Sequence, residues 1–372
     1  MRFILIGPVW PYRGGISHNT AIVSKAVTNA GHDIRLISFR RQYPQWLYPG
    51  QTDQDNSRNP IKANAEYILD PFSPKSWKKA ADVALSFKPN LVMIQWWTFF
   101  WSIPFAWISR YLLRRGTKVV YLIHNVTPHE SHPFDRLLTH LALSPAQGYL
   151  VFSDFEKQKL HTLLPGKRIV LSHLPVYSFN QGGHRSKAEA RSELNLPKDG
   201  PILLFFGFVR PYKGLDILIK ALAKLKQEAI TPYLSIVGEF WKDKQKYLEQ
   251  IAMAGIQDQI RIEDRYVPNE EADLWFTAAD VLVAPYTHGV TQSAVASIAV
   301  GYGTPMIVTT HVAEGLEQVG YPWIQVVPSD DIGALARELT NFLSSYSAEK
   351  NPIQDSQGND SDLVQAILEL AQ

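Results

Sequence analysis

Short apolar runs rich in Val, Ile and Leu alternate with amphipathic, helix-period segments along almost the whole chain. A strand that reads as a continuous apolar run has both faces covered, and parallel neighbours need a long crossover that a helix supplies. The chain is therefore expected to be α/β, with doubly wound parallel sheets. In the first half the expected strands are 2–7, 33–39, 91–96, 117–124, 148–152 and 168–174. In the second they are 202–207, 234–238, 259–263, 281–286 and 305–309, separated by helices near 214–229, 241–253, 270–279 and 292–302. Between the halves the apolar pattern lapses from Tyr177 to Gly200, through Asn180-Gln181-Gly182-Gly183, a charged stretch and Pro197. A chain of 372 residues also exceeds the ~250–300 at which single cores stop growing. Two domains follow, 1–178 and 179–350, joined by a hinge near 177–200. A polar connection over 350–361 then leads to a C-terminal helix, 361–371, expected to pack back on the first half.

Composition removes several function classes. Lys and Arg total 37 against 35 Asp and Glu, a formal charge of +2, so bulk electrostatics do not suggest nucleic acid. No cysteine is present, which excludes thiol nucleophiles, iron–sulfur clusters and disulfides. The opening run Met1-Arg2-Phe3-Ile4-Leu5-Ile6-Gly7 is shorter than the roughly 7–15 residue apolar region of a signal peptide and reads as a buried strand. The apolar stretch Leu91 to Leu113 is interrupted by Gln95, Ser102, Pro104, Ser109 and Arg110, so it reads as a strand followed by an aromatic helix and not as a membrane span.

Ligands of doubly wound sheets sit beyond the carboxyl ends of the strands, so residues there are the candidates. Gly14 and Gly15 fall between the first strand and first helix, where backbone amides can approach an anion or a hydroxyl closely. Neither G-x-G-x-x-G nor a P-loop occurs. Phe205-Phe206-Gly207-Phe208-Val209-Arg210-Pro211-Tyr212-Lys213-Gly214 ends a strand in a glycine loop with two cations. Lys213 supplies a point charge and Arg210 a fork, and together they suit a departing diphosphate without metal. His124, His129 and His132, with Glu130 and Asp135 nearby, follow no metal-ligand spacing. No metal or cofactor is expected. Ser153-Asp154-Phe155-Glu156 reads as a capping box. The aromatics Trp96, Trp97, Phe99, Phe100, Trp101, Phe105 and Trp107 read as core. Exposed members, like Tyr43, Trp46 and Tyr48, could grip a saccharide or lipid-linked acceptor.

The order Gly207, Pro211, Lys213, Gly214, then Ala279-Asp280-Val281-Leu282-Val283-Ala284-Pro285, then Gly303-x-Pro305, resembles the nucleotide half of family 4 retaining glycosyltransferases. Gly14-Gly15 and the run His124-Asn125-Val126-Thr127-Pro128-His129-Glu130 are similar to a bacterial subgroup of that family. The resemblance spans roughly 1–345. It implies the GT-B fold, two Rossmann-like domains facing a cleft, with 1–178 on the acceptor side and 179–350 binding the nucleotide sugar. It implies sugar transfer from a nucleoside-diphosphate sugar with retention of configuration, to a saccharide or lipid-linked acceptor, in glycan or cell-envelope polysaccharide synthesis. A cytoplasmic protein, with peripheral contact to the inner face of the membrane, is expected. Lys213 matches the lysine that holds the donor diphosphate, and His124 a position that contacts the transferred sugar. In such enzymes the acceptor hydroxyl attacks from the leaving-group face, with a diphosphate oxygen taking its proton.

Two departures stand out. The family has Arg directly after the glycine at 207, where this chain has Phe208. It also carries two glutamates seven residues apart before the G-x-P, where this chain has Val290 and Ile298. Amides of Thr291, Gln292 and Ser293 at a helix start are left to bind phosphate or sugar oxygens. Two rivals follow: a non-catalytic GT-B saccharide- or partner-binding paralogue, and a nucleotide-sugar epimerase.

Overall fold

The computed structural model describes residues 1–372 except 45–47, 49, 127–132, 181–184, 288–292, 317–318 and 347–359. Trp46, His129, Glu130, His132, Val290, Thr291, Gln292 and most of 350–361, for which the sequence gives expectations, lie outside the described residues. The chain divides into two compact units. One comprises Met1–Asn56, Pro60–Pro175 and Asn359–Gln372; the other comprises Ser57–Asn59 and Val176–Gly358. Each is built around its own parallel sheet, as the GT-B fold requires.

The first unit contains β1 (Arg2–Ile6), α1 (Gly15–Asn29), β2 (Asp33–Phe39), β3 (Ala65–Leu69), α2 (Pro74–Ser86), β4 (Leu91–Trp96), α3 (Ser102–Leu113), β5 (Val119–Ile123), α4 (Pro133–Leu143), β6 (Gly148–Val151), α5 (Asp154–Leu163) and β7 (Arg168–Leu171). Its seven strands run in the order β3-β2-β1-β4-β5-β6-β7. β1 pairs with both β2 and β4, so the direction of winding reverses there, and the gap beyond β1 and β4 is where such sheets hold ligands. On one face α2, α3 and α5 bury Trp77, Ala80, Phe105, Ile108 and Leu160, with Trp101 from the 3₁₀ turn before α3. On the other, Val23 and Val27 of α1 meet Leu363, Ile367 and Leu370 of the last helix, Asp360–Ala371. Leu370 occupies the space beside Gly148, its Cδ2 only 2.8 Å from where a Cβ there would be.

The second unit contains α6 (Lys187–Glu193), β8 (Ile202–Phe206), α7 (Leu215–Gln227), β9 (Tyr233–Val237), α8 (Lys244–Ala254), β10 (Ile260–Glu263), α9 (Asn269–Ala278), β11 (Val281–Ala284), α10 (Ala294–Gly301), β12 (Met306–Thr309), α11 (Thr310–Glu314), β13 (Ile324–Val327) and α12 (Ile332–Ser345). The last helix of the chain is then α13. The six strands run β10-β9-β8-β11-β12-β13, all parallel. α7 shows why these segments are helices. Leu215, Leu218, Ile219, Leu222 and Leu225 recur on one face and are buried, Asp216 sits in the first turn, and Lys224 and Lys226 lie in the last, each charge opposing the nearby end of the helix dipole. Among the described residues no helix is long and apolar enough to cross a membrane.

One expectation is corrected. Ser153 does cap α5, accepting from the Glu156 amide, but the reciprocal half of a capping box is not formed there. The Glu156 carboxylate instead accepts from the Val126 amide at 2.6 Å and pairs with Lys159, so it anchors the turn after β5. Within the interval 177–200, Ser186 and Glu189 form a reciprocal capping box that starts α6.

Candidate functional site

In the second unit, the turn after β8 carries the cations. Gly207 has a φ of +88°, and a Cβ there would lie 2.7 Å from the Lys213 Nζ. Only a residue without a side chain leaves room for that ammonium. Gly238, after β9, has a φ of +142°, and its Cβ would strike the Gly207 carbonyl at 2.2 Å. The two glycines thus let neighbouring strand ends close on each other. Lys213 follows in a short 3₁₀ turn, Pro211–Lys213, before α7.

Lys213 is a buried cation. It is 6% exposed, and its Nζ donates to the Phe206 carbonyl at 3.1 Å. The Tyr286 ring lies 5.8 Å away. Burial first, and then the nearby positive charge of Arg210, together push the ammonium down to about 7. Arg210 is the second cation of this turn. Its guanidinium lies 4.1 Å from the Trp241 ring centroid and 5.4 Å from that of Tyr212. Phe208, standing where the family has Arg, packs edge-on against the same Trp241. Trp241 and Tyr286 were not legible as site residues, because an aromatic after a strand reads equally as core.

Ser293 is the N-cap of α10. Its hydroxyl accepts from the Ala296 amide at 3.2 Å and bonds the buried Tyr286 hydroxyl at 3.1 Å, which links this helix start to the ring beside Lys213. Thr291 and Gln292 lie outside the described residues. Ile298 is buried in the second turn of α10 at 4% exposure, so that position offers packing and no carboxylate.

In the first unit, Gly14 is the N-cap of α1, with a φ of 104° and no atom within 4 Å of where its Cβ would be; Gly15 is the first helical residue. Neither supplies a side-chain cap, which leaves the first amides of α1 open to a ligand. Behind them Ser17, His18 and Asn19 are buried. His124 follows β5, continues the ladder by donating its amide to the Trp96 carbonyl at 2.9 Å, and lies tilted against Phe152. Burial lowers its imidazole to about 3, so the ring is neutral throughout the physiological range. His124 Nε2 meets the Gln95 Oε1 at 2.6 Å, and Gln95 Nε2 donates to the Asn19 Oδ1 at 2.9 Å. Neither Gln95 nor Asn19 was singled out from sequence. The signal was present all the same: a lone glutamine in the apolar run Leu-Val-Met-Ile-Gln-Trp. Asp135 is buried, and among the described residues no three His, Asp or Glu side chains group as metal ligands.

Residues 200–345 match the family model of glycosyl transferases group 1. The D-inositol 3-phosphate glycosyltransferase of Streptosporangium roseum is 31% identical over 198 residues, covering 50% of this chain and 43% of that protein. A protein of the same description from Frankia alni is 26% identical over 244 residues, covering 58% of this chain and 55% of that one. The chain thus spans about half the length of these curated relatives. Among solved structures, Anabaena HepE in complex with UDP and glucose superposes with a TM-score of 0.70 at 15% identity, covering 99% of this chain and 98% of the other. Sucrose-phosphate synthase from Thermosynechococcus elongatus gives 0.65 at 18% identity, over 100% and 96% of the two chains. Residues 200–345 thus carry a glycosyl transferases group 1 domain, in a chain that shares the GT-B fold with these solved structures.

Proposed function

We propose that this chain transfers a sugar from a nucleoside-diphosphate sugar to a saccharide or lipid-linked acceptor, with retention of anomeric configuration. The observation that carries this reading is Lys213: a buried ammonium whose one hydrogen bond among the described residues is to a backbone carbonyl, beside a glycine that leaves room for its Nζ, in a domain matching glycosyl transferases group 1. Such a cation is destabilising until an anion arrives. The diphosphate of the donor supplies it. Lys213 and Arg210 hold the leaving group as negative charge develops on it, and the start of α10 around Ser293 adds amide dipoles. Within the first unit, the neutral His124 and the amides after Gly14 and Gly15 are the groups suited to sugar or acceptor hydroxyls. Solved relatives of this fold hold UDP, UDP-glucose or ADP, which makes those nucleotides the first to try. The test is incubation with a panel of nucleoside-diphosphate sugars, scored by thermal shift and then by product anomer. A ligand at a hundred times its Kd adds about 2.7 kcal/mol of stability, so binding is visible even when the acceptor is unknown. Activity should persist in chelator; loss restored by one divalent ion overturns the metal-free reading.

The depressed Lys213 gives this reading a pH signature. In the free protein the ammonium loses its proton near 7, whereas a bound diphosphate raises the pKa by direct attraction. Binding at pH 8 must then take up a proton, and affinity falls as pH rises above about 7. Calorimetry of UDP binding in two buffers of different ionisation enthalpy measures this uptake. No uptake at pH 8 would remove Lys213 from the diphosphate.

The surface of the first unit favours a lipid-linked acceptor over a soluble one. On α4, Phe134, Leu137 and Leu141 recur at helical spacing and are 74%, 65% and 38% exposed. The adjoining α3 exposes Ile103 and Trp107, and Arg114 and Arg136 border the same helices. An apolar stripe with basic flanks suits an anionic bilayer surface. The full chain should co-sediment with vesicles containing anionic phospholipid, and weaken with salt and in F134E/L137E. Equal partition onto purely zwitterionic vesicles would reject the electrostatic part of this surface.

A further inference from the structure

Gln95 lies in the fifth position of β4, fully buried on a strand whose six residues are all buried. A primary amide in that setting costs free energy unless its groups are bonded, and an apolar side chain would fill the place without that requirement. The neighbouring residues are arranged to admit it. Gly7 follows β1, and a Cβ there would fall 2.6 Å from the Gln95 Cγ and 2.8 Å from the Thr20 Oγ1. Gly7 is thus kept bare by the glutamine beside it.

The hydrogen bonds have a direction. Gln95 spends an N–H on the Asn19 carbonyl oxygen, which turns its own carbonyl oxygen toward His124. With both amides oriented as in the structure, the Gln95 oxygen faces the ring and only accepts, so the imidazole nitrogen opposite it carries the proton. With the ring neutral, Nδ1 is left as its acceptor, and among the described residues Nδ1 has no hydrogen-bond partner. We propose that Asn19 and Gln95 are positioning residues that lock His124 as the Nε2–H tautomer, so that Nδ1 accepts a hydrogen bond from a hydroxyl of the bound sugar. The proposal rests on the glycosyl-transfer reading for the identity of that hydroxyl and on geometry alone for the tautomer. His124 is then neither an acid nor a base here. It is an oriented acceptor, and its specificity is for a sugar carrying a hydroxyl at the matching position.

The tautomer is measured without substrate. In full-length protein with 15N-labelled histidine, two-bond 15N–1H correlation distinguishes a protonated ring nitrogen from a bare one, and His124→Gln identifies the signals. The expected result is a single tautomer with Nε2 protonated. Gln95→Leu, or Asn19→Leu if the first does not fold, should give mixed tautomers, while Asn19→Asp keeps the acceptor for Gln95 and with it the wild-type pattern. The Leu variants should lose roughly 2- to 12-fold in kcat, the weight of one neutral hydrogen bond, and a donor deoxygenated at the contacted hydroxyl should lose nothing further in them. A wild-type Nδ1–H tautomer, or one unchanged in both Leu variants, overturns the relay. The expected tautomer in a chain that transfers no sugar would overturn the proposed activity and leave the relay standing.

Discussion

Lys213→Met is expected to lower sugar transfer by roughly 10²–10³, the scale seen when one group that stabilises a developing anion is removed, and to raise the thermal midpoint at the same time. The loss arises because the ammonium attracts the leaving diphosphate more strongly as the glycosidic bond lengthens than when the donor is merely bound, so turnover suffers more than affinity. The gain arises from burial. Lys213 has a backbone carbonyl as its hydrogen-bond partner and a second cation nearby, and methionine fills the stem's volume without a charge to desolvate. The sign with pH follows. The folded protein binds this proton more weakly than the unfolded chain does, so the wild type gains stability as pH rises from about 7 toward the ordinary lysine range. The variant lacks that slope. Turnover and thermal midpoint measured together across pH 6–9 check all of this, and wild-type transfer in folded Lys213→Met refutes the diphosphate assignment.

Much of the fold is legible in the sequence for a physical reason. A strand buried on both faces is expected to be apolar throughout; β5 and β11 are of that kind, and β1, β4 and β8 are apolar and buried at all but one position. β3 and β13 escape because they are edge strands: burial reaches only Ile68 and Leu69 in β3 and Val327 in β13, and the rest of each carries too little apolar character to be told from a loop. α6 hides in the same way, since its seven residues are mostly charged and Ala190 and Arg191 are its buried residues. The candidate site divides along similar lines. Gly207 and Lys213 are legible because a glycine with positive φ and a cation at a strand end each have few other uses. Burial of Lys213 is not legible, because it depends on what β9 and β11 bring alongside. The relay from Asn19 through Gln95 to His124 joins three elements far apart in sequence, and only the sheet order places them together.

Asp280→Ala is expected to cost about 3–5 kcal/mol, the penalty for removing one partner of a buried ion pair. Asp280 precedes β11, at the amino end of the sheet and away from the strand ends that hold ligands. Its carboxylate is 1% exposed and gathers four donors: the Arg191 guanidinium at 2.5 Å, Lys187 at 2.6 Å, the Ile202 amide at 2.7 Å and the Tyr346 hydroxyl at 2.9 Å. It thereby ties α6, β8 and the end of α12 to one point. Alanine leaves Arg191 buried with only carbonyls of Ala278, Lys198 and Gly200 to accept from it, and strands the Ile202 amide. Asp280→Asn restores an acceptor for that amide but not the charge, and should fall between. In a domain of this size each kcal/mol moves the midpoint by about 2–4 °C, so a drop on the order of 6–20 °C is expected. Transfer activity separates this residue from Lys213. Assayed well below its own midpoint, Asp280→Ala should work at near wild-type rate, because the aspartate touches none of the groups around Gly207. A folded Asp280→Ala that is stable but inactive would move Asp280 from the frame of the domain into its chemistry.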